Sequence, residues 1–333
     1  MEEYISLRDA AQQFGVNVAR LRRAAWDGRM QARQVGNQWL VLPSDVARFL
    51  REGDRRRTRK TPVHTAPTTG GSMARIIAIA IPKGGTAKTT TTAALGAALA
   101  EKGKRVLLLD FDPQGNLTQS MGLRPSDLEH TIYTVMKHYL ARFESQIELA
   151  VYRTPAGVDL VPASARLNLA NEELAVAMQR EFVLQKILAP VAERYDFILI
   201  DTLPYLGVLV INALVAATEV LIPLQAEYLA TESVSLILDH IQIIRRSGLN
   251  PNLRVSGIVL TMVDNRTLIN REAVDHAHKT FGSTVRVFET MIKRSVRFPE
   301  SQAYHQTILE YEPSGPGAQA YRALAEEVLN GTT

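Results

Sequence analysis

The sequence predicts an α/β fold, a mostly parallel sheet with helices on both faces, preceded by a small winged helix-turn-helix module. Three observations predict it. After Arg75, short apolar runs alternate with amphipathic stretches of helical period. Those runs are nearly continuous in Ile, Leu and Val, as strands buried on both faces require. A compact basic stretch ending at Leu50 is separated from them by a segment with hardly any large apolar side chain.

Ser6 is placed to cap a helix carrying Leu7, Ala10, Ala11 and Phe14 at helical spacing, and Gly15 breaks it. A second helix runs from Asn17 to Asp27, with Val18, Leu21 and Ala25 inward and Arg20, Arg22 and Arg23 on its other faces. Ala32 to Val41 reads as two short strands about Gly36-Asn37, and Pro43-Ser44-Asp45 starts a closing helix through Leu50. Residues 1–50 are therefore one domain, 51–72 a flexible basic linker, and 73–333 the α/β domain.

In that larger domain the strand candidates are Ile76–Ile81, Val106–Asp110, Val158–Pro162, Phe197–Asp201, Val220–Leu224 and Val255–Thr261. Helices are expected over Thr89–Lys102, Leu206–Ala217 and Thr231–Ser247. A ligand of such a sheet sits beyond the carboxyl ends of its strands.

Composition narrows the function classes. At 333 residues, with 46% hydrophobic and 22% charged residues, the chain has room for two globular cores and holds no apolar run near the roughly 18 residues of a membrane span. The start lacks the pattern of a secretory signal, so a cytoplasmic location without membrane contact is expected. Cysteine is absent, which removes thiolate zinc sites, iron–sulfur clusters and disulfides. The net charge of +4 is unevenly shared: residues 1–72 hold 13 Arg and Lys against 7 Asp and Glu, the remainder 25 against 27. Such asymmetry points the first part toward nucleic acid.

Directly after the first strand comes Pro82-Lys83-Gly84-Gly85-Thr86-Ala87-Lys88-Thr89-Thr90, and a helix follows. Strand, glycine loop, Lys-Thr and helix are the context of a phosphate-binding P-loop. Glycines let backbone N–H groups approach phosphate, the helix N-terminus adds positive potential, Lys88 neutralises oxygens and Thr89 holds Mg²⁺. Two later strands end in Asp110-Phe111-Asp112-Pro113-Gln114-Gly115-Asn116 and Ile200-Asp201-Thr202-Leu203-Pro204. Phosphoryl transfer needs an acid near the metal and a group that orients the attacking water, and Asp110, Asp112 and Asp201 are the candidates.

Across residues 74–330 the chain resembles the ParA family of deviant P-loop ATPases. The resemblance rests on the loop from Lys83 to Thr90, on Asp110–Asn116 and Tyr195–Asp201, and on Ile211-Asn212-Ala213-Leu214, Pro223–Tyr228 and Gly317–Tyr321. It implies ATP and Mg²⁺ as cofactors and a homodimer formed with ATP. Lys83 becomes the signature lysine that reaches the partner's nucleotide, Lys88 the P-loop lysine and Asp112 the residue that orients or activates water. Thr89 binds the metal, Asp201 acts through its shell, and Asp110 is a further carboxylate at that edge. The family usually has Gly at position 87, where Ala costs on the order of 1 kcal/mol if φ is positive. Thr202-Leu203-Pro204 and Ile292-Lys293-Arg294 also depart from the family pattern.

The resemblance further implies non-specific DNA binding by the ATP dimer through Arg266, Lys293, Arg294 and Arg297, a nucleoid-associated location, and a ParB-like partner that stimulates hydrolysis. Residues 4–50 resemble small excisionase or MerR-like winged helix-turn-helix domains, whose second helix here would carry Arg20, Arg22 and Arg23 to a specific site. Docking to a protein is the rival reading of that module. The expected function is plasmid or chromosome partitioning. Control of its own operon or positioning of a protein cargo is the alternative.

Overall fold

The structure, a computed structural model, describes residues 4–16, 21, 25, 30–35, 38–55, 74–227, 231–264 and 266–331. It divides into two compact units, Met1–Thr61 and Pro62–Thr333.

In the first unit, β1 (Ile5–Ser6) and β2 (Arg33–Val35) both pair antiparallel with β3 (Gln38–Val41). Strand β1 has no counterpart in the sequence reading, because two residues carry no period. The helix Leu7–Gln13 starts where expected, with the Asp9 N–H donating to Ser6 Oγ at 3.2 Å. The closing helix spans Pro43–Arg55, five residues beyond Leu50 and into the stretch read as linker. Leu7, Ala10, Leu21, Ala25, Val41 and Val46 form the core. Of the expected reader helix Leu21 and Ala25 are described, whereas Arg20, Arg22 and Arg23 lie outside the described residues, as does the Gly36-Asn37 turn.

The second unit is an eight-stranded sheet ordered β11-β10-β9-β4-β8-β5-β7-β6. Its strands are β4 (Arg75–Ile79), β5 (Val106–Phe111), β6 (Tyr152–Arg153), β7 (Asp159–Val161), β8 (Phe197–Thr202), β9 (Glu219–Gln225), β10 (Arg254–Val263) and β11 (Val287–Lys293). All neighbours are parallel except β6 and β7. Strands β6 and β11 escape the sequence reading because they form the two edges: β6 is two residues long, and Glu289 interrupts the apolar run of β11.

Alternation puts successive residues on opposite faces. Ile76, Ala78, Leu107, Leu109, Ile198 and Ile200 join one core; Ile77, Ile79, Leu108 and Leu199 join the other. The three expected helices occur at Lys88–Glu101, Val208–Ala216 and Thr231–Arg246. Gly96 allows the first of them to lie close on β5, since a Cβ there would fall 2.5 Å from the Leu108 side chain. The last helix, Pro316–Asn330, buries Tyr321, Leu324, Ala325 and Val328. Strand β4 has β8 on one side and β9 on the other, so the chain departs from it in both directions. A crevice opens at its carboxyl end.

Candidate active site

The loop after β4 is shaped by backbone before any side chain acts. Gly85 has φ 74° and Ala87 φ 66°, the latter immediately before the helix that begins at Lys88. Ala87 thus occupies the left-handed region that the sequence pattern implies, at a cost of about 1 kcal/mol against glycine. Lys88 Nζ donates to the Lys83 carbonyl at 2.7 Å and to that of Ile81 at 3.4 Å. Burial lowers the pKa of its ammonium, an effect that Asp201 and Asp112 oppose.

Three carboxylates stand at the ends of β5 and β8 and differ in kind. Asp201 is 1% exposed, and neither of its oxygens has a hydrogen-bond partner. Burial, then the charge of Asp110, raises its pKa well above the carboxylate range. The Thr89 hydroxyl and the Lys88 charge offset this in part. Asp112 is half-buried on the cavity wall and accepts the Gln114 N–H at 2.9 Å, which folds the loop into a tight turn. Asp110, expected beside the metal, is held by its neighbours. One oxygen accepts both the N–H and the hydroxyl of Thr118, at 2.7 and 2.6 Å, and the other accepts the Asp112 N–H at 3.3 Å. Thr118 in turn accepts from the Ala163 N–H. With both oxygens engaged, Asp110 is a buried brace between β5, its following helix and the loop after β7.

These elements enclose a cavity of about 780 Å³, within the range of roughly 300–1,000 Å³ usual for ligand sites. Gly84–Thr90 form one wall, Asp112–Gln114 and Asn116 another, and Thr202–Tyr205 a third. Lys83 lies outside that wall. Its ammonium pairs with Glu227 at 3.1 Å, and Gln225 holds the other Glu227 oxygen at 2.6 Å.

Two features have no counterpart in the sequence reading. A second cavity of about 220 Å³ adjoins the first through Ala87, Thr90 and Met262 and is otherwise lined largely by Ile292, Phe298 and Pro299. Gln302 and His305 also reach the main cavity. No motif marks Phe298, Pro299, Gln302 or His305 in the sequence; they arrive through the connection after β11, a strand whose mixed polarity conceals it.

Of the basic residues expected to meet DNA, Lys293 and Arg294 are exposed and stand at the rim of the smaller cavity. Arg266 is folded back on Asp264 at 2.7 Å, and Arg297 pairs with Glu300 at 2.9 Å and Glu312 at 3.6 Å. The four positions share the β10–β11 end of the sheet but not one electrostatic state.

The parallel sheet, the glycine loop leading into a helix, and the carboxylates at adjacent strand ends define a P-loop ATPase. Comparison with known proteins agrees: the model of a family described as "AAA domain" matches residues 74–255. The sporulation initiation inhibitor protein Soj of Bacillus subtilis is 40% identical over 256 residues, covering 77% of this chain and 98% of Soj. The chromosome partitioning protein ParA of Myxococcus xanthus is 38% identical over 263 residues, covering 79% and 90%. A solved structure named cobyrinic acid a,c-diamide synthase, from Mycobacterium smegmatis with bound ADP and magnesium, superposes with a TM-score of 0.66 at 36% identity, covering 78% of this chain and 95% of that one. The chain belongs to the ParA family of ATPases. Among the described residues, no helix is long and apolar enough to cross a membrane.

Proposed function

We propose that this chain is a Mg²⁺-dependent ATPase of DNA partitioning, in which bound ATP joins two copies and lets them hold DNA. The observation that carries the reading is Asp201, a carboxylate buried without a partner behind a P-loop that faces a nucleotide-sized cavity. A lone buried anion is costly unless a cation completes it. Thr89 and Asp201 fit magnesium, which when bound neutralises phosphate oxygens.

The chain's own groups do the rest. Backbone N–H groups of Gly84 to Thr89 and the helix N-terminus receive the phosphates, and Lys88 adds a charge whose attraction burial strengthens. The smaller cavity suits the base, which would rest on Met262 and Phe298. Asp112 accepts a hydrogen bond from the attacking water and so sets its direction. Lys83, held outside its own cavity by Glu227, is available to the nucleotide of a second copy. Lys293, Arg294, Arg297 and Arg266 meet DNA phosphates, which gives a salt-sensitive affinity without sequence preference. A ParB-like DNA-bound partner would stimulate turnover, and the relatives named for chromosome partitioning support that assignment.

The N-terminal unit supports a second DNA contact, in which Arg20, Arg22 and Arg23 recognise a site near the chain's own promoter. Filter retention of random and promoter-proximal duplex, with and without MgATP, tests both. Retention of random duplex that does not depend on ATP would overturn the first contact, and the absence of any preferred sequence would overturn the second.

A further inference from the structure

The segment after β11 carries more than basic charge. Its short helix, Arg297–Ala303, sends Gln302 Nε2 to Thr90 Oγ1 at 2.9 Å, on the P-loop helix. Three residues later His305 has φ 56°, in the left-handed region that few non-glycine residues adopt, Asn, Asp and His most readily among them. Its ring Nδ1 lies 2.7 Å from the Gln119 carbonyl. A carbonyl only accepts, so Nδ1 carries the hydrogen.

Gln119 belongs to the helix Asn116–Ser120, which follows the Asp112 loop without interruption. The Gln119 amide donates to the Gln114 carbonyl at 3.3 Å, and the Gln114 N–H donates to Asp112 at 2.9 Å. The connection from His305 to Asp112 is therefore continuous: ring to carbonyl, amide to carbonyl, N–H to carboxylate. His305, Gln119, Gln114 and Asp112 all line the main cavity. A strained residue whose side chain closes such a path reads as a held geometry, since the strain persists only where the surroundings over-determine it.

We propose that His305 is a positioning residue for ATP hydrolysis, strapping the Asp112 loop to the segment that also grips the P-loop helix at Thr90. This rests on the reading of Asp112 as the group that orients water. The strap's hydrogen bonds run to the Asp112 loop and not to Lys88 or the P-loop backbone. Its loss lets the loop shift by a fraction of an ångström, which slows chemistry while leaving nucleotide affinity in place.

Two variants of the full chain separate the strap from mere structure. His305→Gly adopts φ 56° freely and removes the ring. His305→Asn tolerates the same backbone and offers an amide donor to the Gln119 carbonyl. Steady-state ATP turnover should fall roughly tenfold to a hundredfold in kcat for His305→Gly, with KM and thermal midpoint held or the midpoint raised. His305→Asn should recover much of the loss. An unchanged kcat in His305→Gly overturns the proposal, as does a loss shared by kcat, KM and melting temperature, or an Asn variant no better than Gly. Asp112→Ala is measured beside them. If it keeps full turnover, the reading of Asp112 is wrong and the strap has nothing to position; if it alone is inactive, only the strap fails.

Discussion

The phosphate edge and the basic edge of the ATPase unit lie at the same end of one sheet, yet they are built differently. At the phosphate edge the charges are buried and fixed: Lys88 is clasped by two carbonyls, and Asp201 is sealed behind the loop. At the basic edge the charges are exposed, and two of the four are already paired with neighbouring carboxylates. The first edge can bind a small anion tightly because the surroundings exclude water and amplify each interaction. The second works by number, each exposed charge contributing little and losing strength with salt. One edge is a site; the other is a surface.

Breaking the phosphate edge should give the largest effect. Lys88→Ala removes a buried charge that faces phosphate and should cost about 2–5 kcal/mol of ATP affinity, as judged from buried charge pairs, leaving no binding detectable by calorimetry at micromolar protein. Asp112→Ala should largely keep that affinity and lose phosphate release, because its carboxylate is placed to orient the water rather than to hold phosphate. The contrast between the two sharpens the account; equal ATP affinity for Lys88→Ala and the parent would sink it.

The basic edge should respond more gradually. Arg294→Glu together with Arg297→Glu should abolish ATP-dependent retention of random duplex and lower the salt slope by about one for each DNA phosphate that is no longer neutralised. Arg294→Ala alone should cost more than Arg266→Ala, since Arg266 must first leave Asp264 before it can meet a phosphate. A titration at two salt concentrations separates them, and the reverse order would show that the observed pairing does not govern availability.

The smallest effect belongs to the backbone. Ala87→Gly relieves a positive φ and should stabilise the folded state by about 0.5–1 kcal/mol less whatever the freer unfolded chain recovers. Calorimetric melting of the two proteins measures the balance. A lower melting temperature for the glycine variant would mean that the strain at position 87 is smaller than the entropy it saves.

The two edges also differ in how far the sequence exposes them. Lys88, Thr89, Asp112 and Asp201 are legible because contiguous motifs follow buried strands, and burial gives those strands an unmistakable run of Ile, Leu and Val. Asp110 reads as one more carboxylate at that edge, since sequence does not show the Thr118 hydroxyl that donates to it. Gln302, His305 and Met262 are invisible for another reason. Gln302 and His305 join the cavity through the connection after the edge strand β11, whose mixed polarity hides it, and Met262 through a positive φ near the end of β10 that no residue type announces. Pairing on the basic edge is equally hidden, because Asp264 and Glu300 read as ordinary surface acids until distance makes them partners.

The nucleotide site is held to be completed by a second copy through Lys83, which in the single chain pairs with Glu227 and does not line the main cavity. Sedimentation velocity of the full chain carrying Asp112→Ala, with and without MgATP, tests it most directly. The account predicts a dimer that appears only with MgATP, and a monomer under the same conditions when Lys83→Ala is added, with ATP still bound. A chain that stays monomeric with MgATP, or a Lys83→Ala protein that dimerises undiminished, would contradict it.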